Sequence, residues 1–395
     1  MKTPTSRKLK VLHIEVGGSY GGSVRALEKL LEYMPSSDFQ QDLALYFPTA
    51  HVGTLRSMVG QLFVLRPFAA TTAMGANSRN AVGKSQRIRR AAGRLRGGCA
   101  IITSLPILYE IARLIRSREY DVVHVNNTFN YQPASIWAAK WARRPVVAHA
   151  RNPVAPTTLA RSLARSLSGL ISINSILAVE LKAQGIRVPI SVIPGGVDPV
   201  QPAREELTRT RNQFVKPDEL LLASVGRLTE QKGFEFLIRA SQKVVARFPN
   251  VKLVIVGEGP LRSHLQQLTE RLGLRDHVLF AGFRSDMNVT AACDIFVCSS
   301  LWEGGPLTVC EALALGRPVV STHVGIVPEL LLDQSAGLVV PPSDPDALAN
   351  AVSTVVRMDA SGRAEMGARG RAAARAVTDC EGLAAEFSDV LKRAV

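Results

Sequence analysis

Short apolar runs alternate with longer amphipathic segments along the whole chain. Val11–Val16 is the first run, and the segment that follows has a helical pattern with Leu27, Leu30, Leu31 and Met34 on one face. The other predicted strands are Asp121–Asn126, Val146–Ala150, Ser191–Ile193, Leu221–Val225, Val251–Val256, Leu279–Phe280, Ile295–Cys298 and Pro318–Ser321. Helix-length segments between strands include Phe234–Arg247, Leu261–Leu272 and Leu307–Leu315. This alternation predicts an α/β protein with two Rossmann-like, doubly wound parallel-sheet domains.

Proline and glycine cluster in Pro194–Arg204, which predicts the domain boundary. We assign residues 1–198 to an acceptor-side domain and residues 199–375 to a nucleotide-sugar-binding domain. Residues 376–395 are predicted to form a C-terminal helix that packs back toward the first domain. Since ligands bind beyond the carboxyl ends of parallel strands, the active site is expected in the loops at those strand ends, in a cleft between two facing sheets.

Two nucleotide-binding classes are disfavoured by their missing motifs. The glycine loop Gly17–Ser23 lacks the G-x-G-x-x-G spacing, and no acidic residue ends a second strand about 20 residues later, which argues against a NAD enzyme. No G-x-x-x-x-G-K-[ST] loop occurs, which argues against a phosphate-loop kinase or ATPase.

The positive charge of the chain lies in its first half. The net charge is +15 over 395 residues, but residues 1–200 hold 26 Lys and Arg against 10 Asp and Glu, whereas residues 201–395 hold 22 against 23. Six of these cations lie in Lys84–Arg96, ahead of the mostly apolar segment Ile101–Ile115. Such a run attracts anionic lipid. We therefore expect an anionic membrane surface, and not nucleic acid, as a partner; the alternative is a solvated loop ahead of an ordinary core helix.

Several features predict a cytoplasmic protein that is peripheral on the inner face of the membrane. The apolar run after the basic N-terminus is too short for a signal peptide, and the stretch from Cys99 to Ile115 falls short of the about 20 residues that span a bilayer. The five cysteines have no paired spacing and are interpreted as reduced thiols.

The strand ends of the second half carry the candidate chemistry. Arg227 follows one strand, and Lys232 precedes the next helix, which suits a diphosphate. Glu303 and Glu311 flank a helix start at Gly304–Leu307, where carboxylates suit sugar hydroxyls and backbone amides point outward. A glycosidase pair is the alternative for the two carboxylates, although a hydrolase of neutral sugars would not need the two cations.

These motifs occur in a fixed order in the second half. They are G-R-x-x-x-x-K-G (Gly226 to Gly233), V-G-E-G-P (Val256 to Pro260), E-G-G-P-L with a second Glu eight positions on (Glu303, Glu311), E-A-L-A-L-G-R-P-V-V (Glu311 to Val320), V-G-I-V-P-E (Val324 to Glu329) and G-L-V-V-P-P (Gly337 to Pro342). The set resembles family 4 of the retaining glycosyltransferases, which have the GT-B fold.

The resemblance implies a role for each matching residue. Arg227 and Lys232 would bind the donor diphosphate, and Glu311 the ribose. Glu303 and the backbone of Gly304, Gly305, Pro306 and Leu307 would hold the transferred sugar, and Phe283 and Arg284 would lie near the nucleobase. In the first half, Gly21 and Gly22 resemble the family's glycine loop near the diphosphate. Where many members have a histidine, this chain reads His149-Ala150-Arg151-Asn152, so either His149 or Arg151 occupies the sugar-facing position.

The predicted function is retaining transfer of a sugar from a nucleoside diphosphate sugar to a glycan or lipid-linked acceptor, in cell-surface polysaccharide or glycolipid biosynthesis. No Asp-x-Asp motif is seen, so neither a metal nor another cofactor is expected. The alternatives are a nucleotide-sugar epimerase of GT-B type, which would use His124 and His149, and a transferase with a soluble acceptor.

Overall fold

A computed structural model of the protein describes residues 7–17, 21–49, 51–65, 105–332 and 335–395. The chain forms two compact units. Unit 1 comprises Met1–Ser172, Ala178–Ile193 and Glu381–Val395, and unit 2 comprises Ile173–Leu177 and Pro194–Cys380. The basic run Lys84–Arg96, Cys99 and the start of the segment Ile101–Ile115 lie outside the described residues.

Within its described residues, unit 1 is built on a parallel sheet of seven strands in the order β3-β2-β1-β4-β5-β6-β7. The strands are β1 Leu9–Gly17, β2 Phe39–Phe47, β3 Leu62–Val64, β4 Val122–Thr128, β5 Val146–Ala150, β6 Gly169–Ser172 and β7 Ile190–Val192. The helices up to residue 193 are α1 Gly22–Tyr33, α2 Val52–Met58, α3 Leu105–Arg118, α4 Pro133–Trp141, α5 Thr158–Ala164 and α6 Ser175–Ala183.

Unit 2 repeats this plan with six parallel strands in the order β10-β9-β8-β11-β12-β13. The strands are β8 Leu220–Val225, β9 Val251–Val256, β10 Val278–Gly282, β11 Ile295–Cys298, β12 Val319–Thr322 and β13 Gly337–Val340. The helices after residue 193 are α7 Arg204–Asn212, α8 Phe234–Arg247, α9 Arg262–Arg271, α10 Asn288–Ala292, α11 Leu307–Ala314, α12 Val327–Leu331, α13 Pro345–Arg357, α14 Ala360–Ala373, α15 Arg375–Thr378 and α16 Cys380–Ala394. The two parallel α/β domains predicted from the apolar pattern are confirmed.

Both faces of the second sheet are covered, as a doubly wound fold requires. Side chains alternate along a strand, so Leu221 and Ala223 belong to one apolar cluster while Leu222 belongs to another. One cluster includes residues of α8, α9 and α13, and the other includes residues of α11 and α12. Strands that are buried on both faces read as continuous apolar runs, which is why they could be predicted.

Four of the observed strands were not predicted from the sequence. The missed strands are β2, β3, β6 and β13.

In α3, Ile107, Ile111 and Ile115 are buried in the core. The described part of the segment Ile101–Ile115 therefore does not offer its apolar side to a membrane, and the interpretation as an ordinary core helix is correct.

Three loops of unit 2 approach one another so closely that only glycine fits where they meet. Gly233, where α8 begins, has φ of 59°, and a Cβ there would lie 2.1 Å from the carbonyl oxygen of Ser299. Gly257 has φ of 143°, and its Cβ would lie 1.9 Å from the carbonyl oxygen of Gly226. These contacts hold together the loops that follow β8, β9 and β11.

A pair of glycine substitutions tests this constraint. Gly273 also has a left-handed φ, 69°, but open space surrounds its Cβ position. We expect Gly273→Ala to lower the free energy of unfolding by about 1 kcal/mol, from backbone strain alone. We expect Gly233→Ala to lower it by at least about 3 kcal/mol, because backbone must also move. Equal losses for the two variants in urea titrations followed by circular dichroism would contradict the close approach.

Candidate active site

The candidate donor residues lie at one edge of the second sheet. Arg227 follows β8, Phe283 follows β10 and Glu303 follows β11. Because β8 and β11 are neighbours in the sheet but not in the chain, the strand order reverses between them, and doubly wound sheets bind ligands beyond the strand ends at such a point. The expectation that the motifs occupy strand-end loops is confirmed.

Lys232 and Glu303 form an ion pair between the loops that follow β8 and β11. The Nζ atom of Lys232 lies 2.5 Å from Oε1 of Glu303, and the two side chains are 20% and 10% exposed. Ser300 donates a hydrogen bond of 3.0 Å from Oγ to the same carboxylate oxygen, and Nε2 of Gln231 lies 3.5 Å from the other. Gly226 leaves only enough room for the Lys232 side chain, since a Cβ there would lie 3.2 Å from its methylene carbons. The cation and the carboxylate therefore occupy one rigid site.

The loop from Ser299 to Pro306 is held from several sides. Asn174, which is 2% exposed, donates 2.7 Å from Nδ2 to the carbonyl oxygen of Gly304. Gly325, with φ of 51°, presses on the same carbonyl, because a Cβ there would lie 2.2 Å from it. Thr322 donates to the carbonyl of Ser300 at 2.6 Å. These contacts fix the backbone that opens α11, whose first turn has neither an acidic residue nor a side-chain cap.

The remaining predicted donor residues differ in exposure. Arg227 is exposed, and within the described chain its side chain takes part in no hydrogen bond or ion pair. Glu311 lies on α11 and is 4% exposed. The Phe283 ring is 61% exposed, whereas Arg284 contacts Asp286 at 3.3 Å. The structure thus places all of these residues in unit 2, and their binding roles remain predictions.

In unit 1 a polar network fills the carboxyl end of the first sheet. Glu15, which is 1% exposed, accepts hydrogen bonds from Nδ2 of Asn126 and, at 2.5 Å, from Nδ2 of Asn127. Arg151 donates from Nε to the carbonyl of Asn126 at 2.7 Å and from a terminal nitrogen to Oδ1 of Asn126 at 2.6 Å. Burial lowers the pKa of Arg151 to about 10, and the charge of Glu15 opposes this shift. Arg151 therefore stays charged at neutral pH.

His149 lies in a different environment from Arg151. It is 2% exposed, and its Nδ1 lies 2.8 Å from Nε2 of the fully buried His124. Burial, followed by the charge of Arg151, lowers the pKa of His149 well below its usual value. The two candidates for the sugar-facing position are thus a neutral imidazole and a guanidinium held by Asn126.

The glycine loop of unit 1 is described only at its end. Gly21 precedes α1 with φ of −115°, and open space surrounds its Cβ position. Gly22 is the first residue of the helix. Neither an acidic residue nor a side-chain cap occupies the first turn, so the backbone amides of this turn are not capped by a side chain.

Sequence reasoning missed several residues of these sites. Asn174 follows β6, a strand that was not predicted, so nothing marked it as a strand-end residue. Glu15 and His13 are polar residues inside the first apolar run, and that position was the available signal for a buried polar group.

The described part of the chain contains neither a candidate metal site nor an exposed cysteine. No group of three or more His, Cys, Asp or Glu residues in it is arranged to hold a metal ion. Cys293, Cys298, Cys310 and Cys380 are free thiols and are buried.

Comparisons with known proteins match both halves of the chain. A glycosyltransferase of Methanocaldococcus jannaschii described as uncharacterized is 35% identical over 157 residues, which are 39% of each chain, so this chain spans about two fifths of that relative. The UDP-Gal:alpha-D-GlcNAc-diphosphoundecaprenol alpha-1,3-galactosyltransferase of Escherichia coli is 28% identical over 285 residues, 65% of this chain and 71% of that enzyme.

The structural comparison supports the fold. The crystal structure of Anabaena HepE in complex with UDP-glucose has a TM-score of 0.78 at 21% identity and covers 97% of this chain and 99% of that one. The model of Glycosyltransferase Family 4 matches residues 65–201, and the model of Glycosyl transferases group 1 matches residues 207–373. With these matches in both halves, the chain belongs to the family 4 glycosyltransferases and has the GT-B fold.

Proposed function

We propose that the protein is a retaining glycosyltransferase that moves a sugar from a nucleoside diphosphate sugar to a glycan or lipid-linked acceptor. The observation that carries this proposal is the Lys232–Glu303 pair, which puts a cation suited to phosphate and a carboxylate suited to hydroxyls 2.5 Å apart. A sugar diphosphate presents these two chemistries side by side, whereas a phosphate or a neutral sugar alone presents one.

The surrounding groups suit the other parts of the donor. Arg227 adds a second cation near the diphosphate, and Glu311 would accept hydrogen bonds from the ribose. The Phe283 ring, with Arg284 beside it, offers a flat surface for the base. When a diphosphate takes Lys232 as its partner, the Glu303 carboxylate keeps Ser300 and gains a free lone pair for a sugar hydroxyl.

The leaving diphosphate gains negative charge as the glycosidic bond breaks. Lys232, Arg227 and the uncapped start of α11 would stabilise that charge without a metal. In the donor complex Glu303 would keep the hydrogen bond from Ser300 and accept another from a sugar hydroxyl, which weakens it as a nucleophile. This supports transfer on the face from which the diphosphate departs, with the departing phosphate as the base.

The names of related proteins support the substrate classes. HepE was crystallised with UDP-glucose, and the Escherichia coli relative is named for a galactosyl donor and a diphosphoundecaprenol-linked acceptor. We therefore propose a role in cell-surface polysaccharide or glycolipid biosynthesis. The epimerase alternative would need His124 as well as His149 in contact with substrate, but His124 is 0% exposed.

Product analysis tests this proposal. The protein is incubated with UDP, GDP and ADP sugars, with and without lipid-linked and soluble acceptors. We expect one donor class to give a glycosylated acceptor of unchanged anomeric configuration by NMR, also after exhaustive chelation. An inverted product would contradict retention, and an epimerised donor without acceptor would contradict transfer. Activity that chelation abolishes and magnesium or manganese restores would contradict metal independence.

Arg227 permits a clean test of the donor site, because its side chain has no partner to lose within the described chain. We expect Arg227→Ala to weaken donor binding by roughly 10- to 150-fold, the loss of one charge-assisted hydrogen bond, without changing the melting temperature. Lys232→Ala and Glu311→Ala should weaken donor binding similarly, whereas Glu303→Gln should lower turnover more than affinity. Donor affinity is measured by calorimetry.

The matched control is Arg275→Ala, which removes another exposed arginine, located between α9 and β10. Donor binding by this variant should equal that of the wild type. The donor-site assignment fails when Arg227→Ala, Lys232→Ala and Glu311→Ala all bind donor normally, or when Arg275→Ala is impaired as much as Arg227→Ala.

We further propose that the first half docks on anionic membrane. The described part of unit 1 contributes an aromatic and basic surface, in which Tyr109 and Trp141 are 58% and 48% exposed with ring centroids 6.1 Å apart. The guanidinium of Arg116 lies 5.0 Å from the Trp141 ring. Trp and Tyr favour the lipid headgroup region, and arginine favours anionic lipid. No described helix has the length and apolarity to cross a bilayer.

Co-sedimentation with vesicles of increasing anionic lipid content tests the docking. We expect binding that weakens as salt rises, because charges are screened over about 10 Å at 0.1 M. Binding should fall when Arg87, Arg89, Arg90, Arg94 and Arg96 are changed to Ser, and fall further with Trp141→Ser. The control variant loses Arg209, Arg239, Arg271, Arg275 and Arg369 from unit 2 and should bind as the wild type does. Binding indifferent to lipid charge, or equal loss in the control, would favour a soluble acceptor.

A further inference from the structure

Three buried histidines form a continuous hydrogen-bonded row across the first sheet. Nδ1 of His13 on β1 lies 2.8 Å from Nδ1 of His124 on β4, and Nε2 of His124 lies 2.8 Å from Nδ1 of His149 on β5. The Phe387 ring of α16 covers the row, with its centroid 4.8 Å from that of His124 and about equally far from the other two, at 6.3 and 6.1 Å. The row ends at one of the two candidates for the sugar-facing position.

The three rings are neutral in this environment. Burial lowers the pKa of His13 to about 3, with a smaller opposing effect from the Gln41 side chain. Burial is also the main cause that lowers the pKa values of His124 and His149 well below the usual value. Each ring therefore carries one N–H and one lone pair.

Two nitrogen-to-nitrogen hydrogen bonds couple the three tautomers. When His124 donates from Nδ1 to His13, its Nε2 must accept from Nδ1 of His149. Nε2 of His149 is then a lone pair, and Nε2 of His13 carries a proton. When His124 accepts from His13 instead, every proton moves to the other nitrogen, and Nε2 of His149 becomes a donor. Only these two arrangements of neutral rings keep both hydrogen bonds.

The groups at the two ends of the row favour the first arrangement. At the His13 end, Nε2 of His13 and Oε1 of Gln41 are both buried without a well-formed hydrogen bond among the described residues, yet the Gln41 side chain interacts with His13 closely enough to raise its pKa. A protonated Nε2 satisfies that oxygen. At the other end the positive charge of Arg151 acts on His149 and His124, and it favours a lone pair over an N–H.

We propose that Gln41, acting through His13 and His124, fixes the tautomer of His149 so that its Nε2 is a hydrogen-bond acceptor. A lone pair at this atom accepts from a hydroxyl and cannot donate to a phosphate. A ligand group that meets this atom must therefore donate a hydrogen bond, and on the proposed function it is a hydroxyl of the sugar. Gln41, His13 and His124 are positioning residues that act through His149.

Nitrogen NMR of protein labelled with ¹⁵N-histidine tests the tautomers directly, without substrate. Long-range proton–nitrogen spectra distinguish a protonated Nδ1 from a protonated Nε2, and single histidine substitutions assign the signals. We expect a protonated Nε2 in His13, a protonated Nδ1 in His124 and His149, and neutral rings from pH 5.5 to 8. The opposite tautomers, an equal mixture, or a cationic ring in this range would overturn the proposal, whether or not the protein transfers sugar.

Gln41→Leu removes the acceptor at the far end while keeping the side-chain volume. We expect it to shift the His149 signals toward those of the second tautomer although Gln41 does not contact His149. Gln40→Leu is the matched control, because Gln40 is the exposed neighbour on β2. Unmoved His149 signals in Gln41→Leu, or equal shifts in both variants, would refute the relay. Should Gln41→Leu not fold, Gln41→Glu serves instead, since its stronger acceptor should sharpen the wild-type pattern.

The functional arm applies once a transfer assay exists. Gln41→Leu should lower kcat/KM about threefold to tenfold, consistent with one weakened hydrogen bond. It should do so only for donors that carry the hydroxyl His149 meets, so one deoxy-sugar donor should be used equally well by both proteins. A loss that is equal for every deoxy donor would show a merely structural effect. Absence of any transferase activity would instead bear on the proposed function and leave the NMR result standing.

Discussion

The close approach of three backbone loops at the edge of the second sheet is the constraint on which the candidate site depends. Gly233 meets the carbonyl of Ser299, and Gly257 meets that of Gly226, at separations that leave no room for a Cβ. The strand order places β8 beside β11, so their loops begin as neighbours, and the glycines then let them touch. Lys232 and Glu303 form an ion pair because of this contact.

The ion pair and its surroundings explain how two charged side chains are held in a largely buried position. An unpaired carboxylate or ammonium at 10% to 20% exposure would lose much of its hydration, and each group offsets that loss for the other. The loop that carries Glu303 is fixed independently by Asn174, Gly325 and Thr322. An exchange of Lys232 from Glu303 to a diphosphate therefore need not disturb the backbone.

In unit 1, too, buried polar side chains are paired with one another, but the residues involved are different. Its sheet buries Glu15, Asn126 and the three histidines at the carboxyl ends and interiors of β1, β4 and β5, where unpaired polar atoms would be costly. Hydrogen bonds satisfy most of these atoms, and they also lock the orientation of Arg151 and the tautomer of His149. Burial of polar groups thus serves to orient two side chains.

The sequence by itself determined the fold class, most of the strands and the candidate residues of unit 2. Buried parallel strands read as apolar runs, and the motif residues follow them directly, so both are local signals. It missed β6, and with it Asn174, because that strand has only four residues and gives a weak apolar signal. It also left open the choice between His149 and Arg151.

Only the tertiary structure decided which side chains meet. The pairing of Lys232 with Glu303 spans 71 positions, and the contact of His13 with His124 spans 111. Such contacts depend on strand order, on register and on a helix from the C-terminus whose Phe387 covers the histidines. No local pattern encodes them, because they arise when sheet neighbours that are remote in sequence bury their side chains against one another.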